Sequence, residues 1–276
     1  ALIRADAQAH QLPGGPTIRE RIEDRNFSPL GWAENVYAYA DNPVFAHDGM
    51  IVDWGPGPDG MQADRGHRVN AAFDTFRQTG VAFLREGDAD TRVGPFVMVQ
   101  KFATETTDAP FLTGVVYRDR DGDDFYSPGE GRKGAVFRVR GEGAERSERA
   151  GDWKHEVGEG EHMLVIRGKG VDGRIKGRVT VERDNVKIDV VDGDELHVSG
   201  DIDLLRAPRK VFALGGQGLE IAGARGRDRL FGSDGADTLE GEQGADLLRG
   251  GDGGDALRGG GGRDRFDFDS ARDSTR

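Results

Sequence analysis

From Gly223 to Asp267 a nine-residue unit repeats five times without a slip. The units begin at Gly223, Gly232, Gly241, Gly250 and Gly259 and read GARGRDRLF, GSDGADTLE, GEQGADLLR, GGDGGDALR and GGGGRDRFD. Each has Gly at positions 1 and 4, Asp at position 6 and Leu or Phe at position 8. Glycine supplies the positive φ of a tight turn and removes any side chain that would keep a neighbouring turn away, so the turns can stack on their copies. Stacking then aligns Asp228, Asp237, Asp246, Asp255 and Asp264, which repel one another unless a hard cation sits between them. Calcium meets that demand with carboxylate and carbonyl oxygens as ligands. Leu230, Leu239, Leu248, Leu257 and Phe266 follow two residues after each Asp, on the same face of a very short strand, and give each turn one inward apolar side chain.

These units resemble the RTX (repeats-in-toxin) family, whose GGxGxDxUx nonapeptides wind a parallel β-roll around calcium. The resemblance implies that each turn pairs with the next but one, and five units would then frame about three complete calcium sites. LGGQGLEIA, from Leu214 to Ala222, reads as a decayed sixth unit with Glu220 in place of Asp. The competing reading, a Gly/Asp-rich disordered linker, is the state expected without calcium.

The 276 residues have room for two or three domains, and a hydrophobic content of 36% suits several small modules better than one large core. The net charge of -12 excludes nucleic acid as a partner and suits a protein that collects divalent cations. With no Cys there is no disulfide framework, which leaves metal as the staple of a secreted protein. No apolar run has the length to cross a bilayer as a helix. The absence of a signal peptide and of a starting Met leads us to expect a processed form or a fragment.

Residues 1–107 mix helical and strand patterns. PTIRERIED places Pro16 near a helix start with Ile18 and Ile22 on one face, and NPVFAHDGMIVDW gathers Val44, Phe45, Met50, Ile51 and Trp54 on a helical stripe. GHRVNAAF starts a further short helix, and TGVAFLRE and PFVMVQKFA read as two buried strands. Three fragments, WAENVYA, DRGHRVNAAF and TGVAFL, resemble the cysteine-free bacterial form of the CAP superfamily of cysteine-rich secretory and pathogenesis-related proteins. That resemblance implies an α-β-α sandwich, truncated at its N-terminal edge, and a cleft of two His and two acids that maps to His67, Glu34, His10 and Asp53. Ala33 stands where the family usually has Gly. Two imidazoles and two carboxylates could bind zinc or hold a water beside a general base. On the structural reading, His67 caps or fills a pocket and Glu34-Asn35 is a hydrogen-bonded turn. His47, His155, His162 and His197 share no spacing and read as solvated or structural, and no GxSxG, HExxH or CxxC pattern occurs.

From about Pro110 the pattern is all-β: FLTGVVY, AVFRVR, HMLVIRG, GRVTVER and NVKIDVV are short strands with turn residues between them, as in a small β-sandwich over 108–198. DRDGDDFYSPGE, from Asp119 to Glu130, sets Asp119, Asp121 and Asp123 at positions 1, 3 and 5 of a twelve-residue loop. Phe125 can offer its carbonyl at position 7 and Glu130 can close the shell at position 12, as in an EF-hand, although strands flank this loop. Together with the preceding VVY it resembles the B-type calcium domains of bacterial surface proteins. A metal-free acidic hairpin would leave five carboxylates repelling one another. Residues 199–213, with Gly200 and Pro208, read as a connector or as worn first coils of the roll, which occupies 214–270. The polar tail DSARDSTR follows.

The sequence thus describes a multi-domain α+β and all-β chain: a CAP-like domain, a β-sandwich with a calcium loop, and a calcium-binding β-roll. The resemblances imply an extracellular bacterial protein exported by type I secretion, in which low cytosolic calcium leaves the repeats unfolded. A protein, glycan or lipid ligand is expected for the CAP cleft. The alternatives are a metal-dependent hydrolase, for instance a protease, working in that cleft, and a cell-surface adhesin.

Overall fold

The computed structural model describes residues 8–53, 61–62, 64–73, 75–87, 93–105, 109–206 and 208–268. The chain divides into two compact units, Ala1–Asp108 and Ala109–Arg276. Trp54, expected on a helical stripe, and the tail 269–276 lie outside the described residues.

Among its described residues the first unit has three short helices, α1 (Ile18–Glu23), α2 (Pro43–Val52) and α3 (Gly66–Ala72), around an antiparallel sheet. The sheet is ordered β1-β3-β2 from Pro29–Ala40, Phe96–Glu105 and Gln78–Arg85. Helix α1 starts at a capping box, in which the Thr17 side chain accepts from the Glu20 amide and the Glu20 carboxylate accepts from the Thr17 amide. Asn42 caps α2 ahead of Pro43. The apolar stripe expected on α2 is buried, among its described residues, only at Met50. Ala46, Gly49 and Met50 are buried, whereas Val44 and Phe45 are exposed. The reason is Tyr37 of β1, whose ring lies 2.6 Å from where a Cβ on Gly49 would stand, so the helix docks through small residues. Strand β2, expected to be buried, is an exposed edge strand with Val81 and Leu84 each 55% exposed.

Among its described residues the second unit has two eight-stranded sheets and, in the turns of its C-terminal part, a three-stranded one. One runs β7-β4-β10-β11-β13-β16-β19-β22, through Asp152–Glu156, Phe111–Tyr117, Val186–Val191, Glu195–Val198, Lys210–Ala213, Arg229–Phe231, Leu247–Arg249 and Arg265–Phe266. The other runs β6-β5-β8-β9-β12-β14-β17-β20, through Gly143–Arg146, Ala135–Val139, Gly160–Gly168, Arg174–Val181, Ile202–Arg206, Glu220–Ala222, Thr238–Glu240 and Ala256–Arg258. Inward residues from Leu112 to Leu248 form one hydrophobic cluster, with Phe137 stacked on Trp153 at 3.7 Å near its start. The segment 199–213 holds β12 and β13. Through them, an antiparallel end in one sheet and a mixed end in the other, where β4 and β10 pair in parallel, give way to all-parallel ends.

In the repeats, Leu230 pairs with Leu248 and Leu239 with Leu257, so units alternate between the two sheets and each pairs with the next but one. A coil is therefore two nonapeptides, carrying two inward side chains. Leu230, Leu239 and Leu248 are fully buried, Leu257 is partly buried and Phe266 is 40% exposed. The register also corrects the reading of the sixth unit. Glu220 pairs with Thr238, which puts buried Leu219, not Glu220, opposite Asp237.

The core thins toward the last coil, so equal truncations should cost unequal amounts. Leu239→Ala should cost about 2–5 kcal/mol and Leu257→Ala clearly less. Denaturant unfolding in saturating calcium measures both, and equal losses would contradict a core that thins along the roll.

Candidate functional site

The turns of the roll stack in two columns. Residues 223–228, 241–246 and 259–264 form one, in which β15 (Arg225–Gly226), β18 (Gln243–Gly244) and β21 (Gly261–Gly262) pair in parallel. Residues 214–219, 232–237 and 250–255 form the other, eighteen residues apart in the same way. Glycine is required for this spacing, because a Cβ on Gly244 would lie 1.5 Å from the Gly226 carbonyl oxygen. Within each column a carboxylate reaches back one coil: the amides of Asp228, Asp237 and Asp246 donate to Oδ1 of Asp246, Asp255 and Asp264, at 2.8, 2.9 and 3.2 Å. The second oxygens differ. Asp228 Oδ2 accepts from the Ala224 amide and Asp237 Oδ2 from the Ser233 amide, whereas Asp246 Oδ2 is buried with no hydrogen-bond partner.

That oxygen lies 2.8 Å from the place a Cβ on Gly241 would occupy, and the Gly259 carbonyl oxygen lies 2.7 Å from the same place. A carboxylate and a carbonyl oxygen thus converge on a spot that only glycine leaves open, a donor set that suits calcium. The electrostatics agree. Burial, with Asp246 adding repulsion, pushes the Asp228 carboxyl up to about 6, against the hydrogen bond from the Ala224 amide. Burial and Asp264 likewise raise Asp246.

In the loop after β4, the carboxylates of Asp119, Asp121 and Asp123 come within 4.8 Å of one another. Backbone amides shape the group: Asp119 accepts from Gly122 and Asp124, and Asp123 accepts from Phe125. Positive φ at Gly122 and Asp124 makes this tight winding. Glu130 is buried, and its two oxygens accept from the Arg120 and Ser127 amides at 2.8 Å each. Asp121 is raised by desolvation and by Asp123 and Glu130, while desolvation of Asp119 is outweighed by its amide hydrogen bonds and its carboxyl is lowered. The Phe125 side chain is exposed.

The four cleft candidates form two pairs. His10 Nδ1 lies 3.2 Å from Glu34 Oε1, and His67 Nδ1 lies 2.7 Å from Asp53 Oδ1. His10, Glu34 and His67 line one cavity of about 420 Å³, with Gln62 and Asn70 beside them. Asp53 is fully buried, ends α2 at a left-handed φ of 62°, and accepts from the His67 amide at 2.9 Å, so it locks the start of α3. Asn35 completes the frame by donating to the His67 carbonyl and accepting from Asn70. Glu34 lies in β1 rather than in a turn, and Arg21 at 3.1 Å and Lys101 at 3.7 Å answer its charge. Burial and the neighbouring Arg21 lower the Lys101 ammonium.

The remaining histidines are not solitary. His197 Nε2 lies 2.8 Å from buried Glu195, which Lys210 also binds, and His47 meets Gln100. His155 and His162, seven residues apart on different strands, share Glu142. Their spacing in sequence carries no motif, and only strand pairing could have revealed them.

Residues 220–248 and 241–274 match the family described as RTX calcium-binding nonapeptide repeat, four copies. No curated protein and no solved structure matches the chain significantly. The C-terminal solenoid is therefore built of calcium-binding RTX repeats, and Ca2+ is the cofactor of the chain. No helix among the described residues is long and apolar enough to cross a membrane.

A pH test follows from Asp228. Its folded value of about 6 lies above the ordinary carboxylate value near 3.9, so its contribution favours the metal-free fold at low pH and is lost as pH rises through about 6. In chelator, circular dichroism should show more β structure at about pH 5 than at about pH 7.5. Calcium should reverse the trend, since its ligands must be deprotonated. A metal-free roll that is firmer at the higher pH would contradict the burial argument.

Proposed function

We propose that this is a secreted bacterial calcium-binding modular protein whose roll folds on calcium outside the cell, with a CAP-type N-terminal unit as a binding module. The observation that carries the reading is the column of buried, stacked carboxylates, with Asp246 Oδ2 buried and unbonded beside a carbonyl oxygen. Calcium ions then lie between the turns of Asp228 and Asp246, of Asp246 and Asp264, and of Asp237 and Asp255, about three in all. A further ion sits in the loop of Asp119, Asp121 and Asp123, with the Phe125 carbonyl and Glu130 completing or shaping its shell, in the manner of B-type domains. Low cytosolic calcium would keep the acidic repeats unfolded for type I export.

Asp246 borders two of these gaps and Asp264 one. Asp246→Ala should therefore raise the calcium midpoint of folding, followed by circular dichroism, more than Asp264→Ala does. Equal shifts, or a full β spectrum of the roll in excess chelator at neutral pH, would refute the assignment.

The CAP-like cleft is read first as a binding site for a protein, glycan or lipid. In support of this, the Glu34 carboxylate is already engaged by Arg21, Lys101 and His10. The hydrolase reading rests on the Asp53–His67 pair, a carboxylate holding one ring nitrogen of an imidazole beside a cavity. His67→Ala decides between them. Hydrolysis of protein or ester substrates by the wild type, lost in a variant that keeps its fold, establishes the enzyme; no hydrolysis with zinc, calcium or magnesium supplied removes it.

A further inference from the structure

Strand β2 is an open edge of the first unit's sheet, which is ordered β1-β3-β2 among the described residues. Proteins blunt such edges with charge, Pro, bulges or brevity, because the unpaired amides and carbonyls are a template for another strand. Strand β2 uses none of these along most of its length. From Gln78 to Leu84 it carries no charge and no Pro, and its register with β3 runs without a bulge. Val81 and Leu84, on opposite faces, are each 55% exposed.

A groove of about 710 Å³ lies beside this edge, between β2 and β3 on one side and the end of α1 with the turn after it on the other. Among the described residues its lining shares no member with the cavity of His67. Glu34, Lys101 and Gly80 form one rung across β1, β3 and β2. A Cβ on Gly80 would meet nothing within 4 Å, and no left-handed φ calls for glycine there, so the missing side chain serves only to leave a lane open from the edge to Lys101. The charges in the groove are unbalanced. Arg21 and Lys101 lie 3.1 and 3.7 Å from opposite oxygens of Glu34, while Arg25 pairs with no carboxylate among the described residues. Burial, then the charges of Arg21 and Arg25, lower the Lys101 ammonium against the pull of Glu34. These three cations outnumber Glu34 and Asp24, on a chain whose net charge is -12. Ile22, Phe27, Val99 and Ala103 give the groove its apolar lining.

We propose that β2 is a docking edge for an extended acidic peptide, which adds to the sheet as a fourth strand and lays a carboxylate over Gly80, against Lys101 and Arg25. Backbone pairing supplies the affinity and the Gly80 rung supplies the selectivity. The residues before and after the carboxylate point to the opposite face, where apolar ones cover Val81. The segment recognised is therefore apolar, acidic, apolar.

The experiment is a fluorescence-anisotropy titration of the whole chain, in saturating calcium, with labelled Thr-Val-Glu-Val-Thr. This peptide should bind about fivefold more tightly than its counterpart with Gln in place of Glu, and more tightly still than the one with Lys. N-methylation of the peptide should abolish binding at alternate positions and spare it at the others, a signature of strand pairing that ionic capture does not give. Arg25→Gln removes the unpaired charge and Gly80→Val fills the lane, both at exposed positions. Each should weaken the Glu peptide about threefold or more and leave the circular dichroism of the chain unchanged, and either variant suffices should the other fail to fold. No binding up to about millimolar peptide, equal affinity for the three peptides, or indifference to N-methylation overturns the proposal. So does a dimer of the chain in sedimentation that the peptide does not dissociate, since a second copy would then hold the edge.

Discussion

The structure of the second unit depends on carboxylates brought into register where they repel. Asp228, Asp237 and Asp246 are almost wholly buried, and each coil adds another to a column. Amides of the preceding coil satisfy one oxygen of Asp237 and of Asp246, and the Ala224 amide satisfies one of Asp228, but they cannot cancel the charge, as the raised Asp228 shows. The glycines permit the close approach and Ca2+ makes it favourable. A roll assembled this way has its stability set by the calcium concentration around it.

The periodic part of this arrangement was legible in the sequence because each nonapeptide meets the same surroundings. Gly at positions 1 and 4, Asp at 6 and Leu at 8 each have one place, and pairing with the next unit but one follows from winding two units per coil. Legibility fails where the period slips. Val211 pairs with Leu230 and Ile202 with Ile221, nineteen residues apart rather than eighteen, so β12 and β13 read only as a connector or as worn first coils, and they pair in parallel with the strands of the roll. Leu219 in the Asp column was hidden by an acidic neighbour, Glu220, one place away.

In the first unit, the residues that ended up around one cavity were found through short motifs, not through periodicity. Glu34 and His67 are far apart in sequence, and what joins them is Asn35, which reaches from β1 to the His67 carbonyl. Exposure was harder to read. TGVAFLRE has the composition of a buried strand, yet β2 pairs on one side only, and composition does not report how many neighbours a strand has. The sharing of Glu142 by His155 and His162 was illegible for the same reason, since it comes about through the pairing of β5 with β6 and β8.

Continuity of the sheets bears on how calcium acts. The outward face of one sheet carries a ladder across four strands to the residue after β22: His197 against Phe212 at 5.0 Å, Phe212 stacked on Phe231 at 4.4 Å, Arg249 over Phe231 at 5.9 Å, and Arg249 paired with Asp267 at 2.8 Å. Its aromatic rungs lie next to the antiparallel strands and its charged rungs lie at the far end. The inward face grades the same way, from fully buried Leu230 to Phe266 at 40% exposure. The early coils thus grow from strands whose inward residues are fully buried and hold apolar contacts on both faces. The last coils have neither advantage, and surface ion pairs such as Arg249–Asp267 contribute little. Calcium therefore does the larger share of the work where the core is thinnest, and loss of the ion should open the roll from its last coil inward toward β13.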